Sequence, residues 1–266
     1  MRVERFRERN ILILFIGLLF STVLTQAQQL IVMSSGGFAP AYKLLAPGFE
    51  KSRGIHLAPL WGPSMGTTPG AIPMRLSRGE PSDIVIMART ELDSLAKRGL
   101  VVEGSQVDLV RSQIGMAVKA GAPVPDISTV DTFRAALLHA KSIAYSDSAS
   151  GVYIANEMYK KLGVEAELAG KSRQIPADPV GMVVARGDAE IGFQQMSELK
   201  PIPGITIVGL IPDDVQKITV FAAGIVASST QKEAARAFID FLSSKQACPM
   251  IQDSALEPVA CIPTRR

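Results

Sequence analysis

The residues SSGG at 34–37 follow the apolar run LIVM at 30–33 and precede a helical pattern, YKLLAPGFEKSR. Hydroxyls and unpaired backbone N–H groups at a helix start can hold a small anion. Two arginines stand where they could add charge to such a site. Arg89 directly follows the run DIVIMA, and Arg111 lies in DLVRSQIG. A guanidinium grips a carboxylate through two parallel hydrogen bonds, but each arginine also has a surface alternative. Asp108 is three residues before Arg111, and Glu91 or Asp93 could engage Arg89. His56, inside IHLAPLW, reads as a structural residue. His139, at a polar helix end, suits the negative end of the helix dipole. P-loop, GxGxxG and HExxH patterns are missing from the sequence, and two isolated histidines make no metal cluster. No cofactor and no metal is expected.

The elements that must position these groups are written in the alternation of short apolar runs with helical patterns. LIVM, IHLAPLW and DIVIMA are separated by YKLLAPGFEKSR and IPMRLSRG, and TELDSLAKRGL follows. This order predicts an α/β architecture with a largely parallel sheet. A second unit begins after Asp108 with IGMAVKAGAP, a helix over about 129–140 capped by Ser128 or Asp131, and SIAYSD. It continues through the turn SASG, the helix GVYIANEMYKKLG, a segment around KSRQIP, the helix DPVGMVVARGD and the strand EIGFQQ. The strand KITVFAAGIVAS and the amphipathic helix QKEAARAFIDFLSSKQA, capped by Ser229 or Thr230, close the chain. On that helix Ala234, Phe238 and Leu242 share a face adjacent to Ala235 and Ile239. If this last pair packs on the first unit, two lobes are joined by crossings near 108–114 and 214–222, with a ligand cleft between them. The expected division is 28–110 plus 218–266 for one lobe and 111–217 for the other.

The first ten residues carry four arginines, and an apolar core at 11–24 and the small-residue pattern Thr25-Gln26-Ala27 follow. That core is shorter than the roughly 20 residues needed to span a bilayer. The pattern therefore predicts a secretory signal peptide over 1–27, cleaved after Ala27, and a periplasmic mature protein. An exporting compartment permits Cys248 and Cys261 to pair and pin the tail. The net charge of +3 is small, basic residues are scattered and aromatic residues are sparse, which argues against nucleic acid as a partner. A monomer is expected.

The ordered set SSGGF, WGPSMGTT, PSDIVIMA, SDSASGVYIANEMYKKLG, EIGFQQMSEL and AARAFIDFLSSKQA resembles the periplasmic molybdate-binding proteins, type II solute-binding proteins of ABC importers. The resemblance spans nearly the whole mature chain. It implies a two-lobed periplasmic-binding-protein type II fold, each lobe a mostly parallel sheet flanked by helices, closing on an oxyanion held by serine hydroxyls and backbone N–H groups. Carried over by position, the ligand residues are Ser34, Ser35 and Gly36, then Ser64, Gly66 and Thr67, then Ser148, Ser150, Gly151 and Val152. Each serine also has a plain reading as a helix cap.

Two departures from the family pattern point to a different ligand. Gln194 and Gln195 stand where the family offers a tyrosine, and Arg111 stands at the first crossing, where small or amide residues are usual. With Arg89 and Gln194, Arg111 completes the expected site. The expected function is an exported protein that holds a small anion, carboxylate or molybdate-like oxyanion, for an ABC permease. The alternative is an isomerase: aconitate isomerase also resembles this family, and Tyr145, Tyr42 and Lys43 are then the candidates to shuttle the proton that moves along an allylic system.

Overall fold

The computed structural model describes residues 28–262 other than Ala177. The expected signal peptide and its cleavage point lie outside the described residues.

Two mixed sheets form the frame. The first is built from β1 (Gln29–Ser34), β2 (His56–Trp61), β3 (Ile84–Ala88), β4 (Val107–Ser112), β10 (Thr219–Ile225) and β11 (Glu257–Pro258), in the order β11-β4-β10-β3-β1-β2. The second contains β5 (Ile114–Lys119), β6 (Ile143–Ser146), β7 (Ser172–Ile175), β8 (Ile191–Gln195) and β9 (Ile205–Leu210), in the order β7-β6-β8-β5-β9. β1 pairs in parallel with β2 and β3, and β6 in parallel with β7 and β8. β10 and β5 run antiparallel to their neighbours. β1 to β4 nevertheless share one direction in the first sheet, and β6 to β9 in the second, so each sheet is mostly parallel, as expected. β5 and β10, the strands that each passage leads into, enter their sheets from the opposite direction and do not join as βαβ units.

Only Gln113 separates β4 from β5, so the first passage is an extended ribbon with each half hydrogen-bonded into a different sheet. The return runs between Leu210 and Thr219. The buried glutamine Gln195 links the two passages. Its Oε1 accepts from the Ser112 hydroxyl at 2.7 Å, and its Nε2 donates to Thr219 Oγ1 at 3.1 Å.

Alternation along the strands explains the packing. In β3, Ile84 and Ile86 enter one apolar cluster with Leu30, Val32 and Phe238, while Val85 and Met87 enter another with Met33 and Leu92. A strand buried on both faces reads as an unbroken apolar run, and DIVIMA does. β2 carries Pro59 and lies at the sheet edge, where a residue without an N–H is tolerated. The second sheet likewise sends Ile143 to one cluster and Ala144 to the other.

Helices start close to where the sequence placed them, but their caps differ. The helix Val130–His139 is capped by Thr129 in a reciprocal capping box with Thr132, not by Ser128 or Asp131. Ser229 does not cap Lys232–Leu242. Its hydroxyl donates to Asp83 Oδ1 at 2.6 Å and accepts from the Gln231 N–H. The helix still buries Ala235, Phe238, Ile239 and Leu242. Cys248 and Cys261 are joined as a disulfide.

Candidate functional site

A cavity of about 380 Å³ opens between the two sheets. Gly36, Trp61, Gly62 and Pro63 line it from the first sheet's side, and Ser146, Asp147, Ser148, Gln194 and Glu198 from the second. Each contributing loop follows the carboxyl end of a strand, the usual place for ligands of α/β sheets. Ser35 follows β1 and leads into the turn Gly36–Phe38, which runs on into the helix Ala39–Arg53. Ser148 is the N-cap residue of the helical stretch 149–162. Pro179 precedes Val180–Arg186.

A hydrogen bond joins the two sides beside the cavity: the Ser64 N–H donates to Ser148 Oγ at 3.1 Å. A second link runs from Ser197 Oγ to the Gly37 carbonyl at 2.8 Å. Beyond the Ser64–Ser148 bond lies another cavity, of about 390 Å³, lined by Met65, Arg89, Ala149, Val152, Tyr153, Glu157 and Lys217 among others.

The expected site residues are therefore distributed between several environments. Gly36, Ser148 and Gln194 line the first cavity. Ser34 and Ser35 are buried at the end of β1, and the Ser34 hydroxyl donates to the Ser35 carbonyl. Ser64 is buried, and its hydroxyl accepts from the Ala88 N–H at 3.0 Å. Gly66 adopts φ +92°, a left-handed conformation that favours glycine, with Asp147 nearby, while Thr67 is exposed. Ser150 is buried and its hydroxyl meets that of Ser146 at 3.1 Å. A Cβ on Gly151 would collide with the Ser146 carbonyl, so this turn requires glycine.

The two arginines are engaged in ion pairs. Arg89 binds Asp93 at 2.8 Å and Asp108 at 2.5 Å, and it lines the second cavity together with Val152. Arg111 pairs with Glu257 of β11 at 3.2 Å and lines neither cavity. The Asp108 offered to Arg111 by the sequence is taken by Arg89.

The proton carriers considered from sequence are also elsewhere. Tyr42 packs edge-on against Trp61 and Phe238, and burial raises its phenol well above the usual value. Tyr145 packs against Tyr159, and burial raises it too. Lys43 lies over the Trp61 ring, its Nζ 5.9 Å from the centroid.

Glu198 is the ionisable group that sequence reasoning passed over. It is partly buried in the cavity lining, and desolvation pushes its carboxyl up to about 7. Hydrogen bonds from Gln194 and from the Gln195 N–H pull in the opposite direction, and nearby Asp147 adds to the rise. The fragment EIGFQQMSEL contains it in plain view. The available signal was a glutamate three residues after the last residue of a strand, the position from which a side chain reaches back to the N-cap N–H. Among the described residues no cluster of three His, Cys, Asp or Glu side chains is arranged to hold a metal ion.

Residues 30–254 match the family model of bacterial extracellular solute-binding proteins. The chain belongs to that family. Among solved structures, the periplasmic molybdate-binding protein of Azotobacter vinelandii superposes on this solute-binding protein with a TM-score of 0.68 at 21% identity. The match covers 88% of this chain and 99% of that one. The sulfate-binding protein of Mycobacterium tuberculosis gives 0.69 at 17% identity, covering 88% of each chain. At these identities the likeness establishes the type II binding-protein fold. A much nearer relative is an aconitate isomerase from Pseudomonas sp, 50% identical over 249 residues, which are 92% of this chain and 95% of the relative.

Proposed function

We propose that this solute-binding protein is an aconitate isomerase, interconverting cis- and trans-aconitate by moving a proton across an allylic system. The observation that carries the reading is the half-identity to the Pseudomonas isomerase along almost the full length of both chains. The molybdate binder shares a fifth of its residues with this chain. Geometry adds support. The cavity of about 380 Å³ suits a six-carbon acid, and helix-start backbone at Gly36 and Ser148 offers donors for carboxylate oxygens. Lys43, over the Trp61 ring at the rim, adds positive charge. The proposed lobes are 28–110 with 218–266, and 111–217, closing on the substrate as a hinge. The proposed setting is the periplasm, after removal of residues 1–27.

The test is turnover. Purified mature protein mixed with trans-aconitate should change its ultraviolet absorbance toward an equilibrium mixture with the cis isomer. A sample that raises its melting temperature with trans-aconitate but leaves the acid unchanged is a carrier, not an isomerase.

One feature favours that second reading, a carrier that delivers a small anion to an ABC permease. The Ser64–Ser148 hydrogen bond ties the two sides together beside the cavity, and closure of this kind is what a permease would recognise. Molybdate and tungstate raising the melting temperature where trans-aconitate does not would support it.

A further inference from the structure

Resting on the isomerase reading, we propose that Glu198 is the single group that carries the proton between the two allylic carbons of the substrate. In the cavity lining Glu198 combines an ionisable side chain with a closely constrained setting. Glu198 is the third residue of the short turn Met196–Leu199, whose N-cap is Gln195. The Gln195 N–H donates back to its carboxyl. Gln194 Nε2 donates to Glu198 Oε1 at 2.9 Å, while Gln194 Oε1 accepts from the Val180 N–H at 3.0 Å. The Val180 bond fixes which end of the Gln194 amide faces Glu198, so a donor is always presented to the carboxyl. The same turn is held across the cavity by the bond from Ser197 Oγ to the Gly37 carbonyl.

The far side of the carboxyl is equally close-set. A Cβ on Gly36 would collide with Glu198 Oε1, so glycine at that position is what admits the carboxyl. One carboxyl is thus oriented by the second sheet and received by the first, inside the space proposed for substrate. Proton transfer needs this geometry first and an acidity matched to the working pH second. Burial, with Asp147 nearby, meets the second condition by lifting Glu198 to about 7.

The step balances without a co-reactant. Ionised Glu198 takes a proton from the methylene carbon, and the electrons of that C–H bond become the new C=C bond to the central carbon. The electrons of the former C=C bond move to the outer carbon and its carboxylate. Glu198 then returns the proton to that outer carbon. One C–H bond breaks, one forms, and the double bond shifts by one position. The developing charge falls on a carboxylate, which the helix-start N–H groups near Gly36 and Ser148 can stabilise.

Other charged groups bear on the titration. Asp147 and Asp178 line the same cavity. The helix Ala39–Arg53, packed against the Met196–Leu199 turn, brings Lys43 to the rim and carries the buried Tyr42. The raised pKa of Glu198 should appear as a rise in kcat/KM with pH through the neutral range, since the base must be ionised.

The experiment compares wild type, Glu198→Gln and Glu198→Asp on trans-aconitate. Glutamine keeps the shape and can still accept from Gln194. Turnover in Glu198→Gln should fall by about 100-fold or more, while trans-aconitate still raises its melting temperature. Glu198→Asp should retain part of the turnover and its rise with pH. Wild type active with Glu198→Gln keeping more than about a tenth of its rate would overturn the role and leave the isomerase reading standing. Loss of turnover and of the melting shift together would make Glu198 a binding residue, which also overturns it. A wild type that converts no aconitate removes the isomerase reading itself, and this role with it.

Discussion

Two cavities of nearly equal volume lie on either side of the Ser64–Ser148 hydrogen bond, and their charges are handled in opposite ways. In the cavity of about 390 Å³ the cations are engaged: Arg89 by Asp93 and Asp108, and Lys217 by Glu157 and the Tyr153 ring. In the cavity of about 380 Å³ the lining contains carboxyls but no arginine or lysine, and one of those carboxyls is oriented by amide donors. Positive charge is easy to see in a sequence, yet here it secures helices to strands. The chemistry is assigned instead to the side with hydroxyls, N–H groups and an acid close to neutrality.

The largest effect that separates the two is a pH-dependent stability. Glu198 has a folded value near 7 against an ordinary 4.5, so between these values the folded state holds more protons than the unfolded one. Its contribution is fully present below pH 4.5 and is lost as pH rises through 7. Glu198→Gln should therefore gain on wild type with rising pH, by on the order of 3 kcal/mol at pH 8, read from denaturant unfolding at pH 4 and pH 8. Equal stability gaps at both pH values would place Glu198 in an ordinary solvated setting.

Gly36→Ala probes the same carboxyl from across the cavity. The added methyl group displaces the end of a side chain rather than backbone, so the fold should survive. Turnover should drop on the order of 100-fold, the penalty of misplacing a reacting group by about 1 Å. Unchanged kinetics would mean that Glu198 does not work from this position.

Ser64→Ala acts on the wall between the cavities. It deletes the acceptor for the buried Ala88 N–H, a loss of about 1–3 kcal/mol measurable as a lower unfolding midpoint. The Ser64 N–H to Ser148 remains available, so substrate affinity should change less than stability. The smallest effects belong to the arginines. Arg89→Gln breaks half-exposed ion pairs worth about 0–1 kcal/mol, and Arg111→Gln breaks one exposed pair with Glu257. Neither should change KM for trans-aconitate by more than about threefold. A large rise in KM for Arg89→Gln alone would move the substrate to the other cavity.

Much of the fold was legible because it rests on periodicity. DIVIMA is buried on both faces, IHLAPLW carries an edge-strand proline, and the amphipathic pattern of 232–242 buries the four residues that face the sheet. A crossing is expected near 108–114, but VDLVRS does not read as a strand of its own, since it runs straight into IGMAVK with only Gln113 between. The reversed direction of β5 and β10 was not legible either: pairing across a passage is decided by where distant segments return. Within the site, the serine loops were readable as helix starts, but burial and local bonds divide them, with Ser148 lining the cavity and Ser34, Ser35 and Ser64 supporting it. Glu198 could not be singled out. Its sequence pattern is that of a helix cap, and only the approach of Gly36 from the first sheet turns the cap into a cavity wall.

The central claim is that one cavity contains a carboxyl whose charge changes near neutrality. Titrating the side-chain carboxyl carbon of Glu198 by NMR, assigned by its disappearance in Glu198→Gln, measures this directly. The account predicts a midpoint at about 7. A midpoint at the ordinary glutamate value of 4.5 would contradict it.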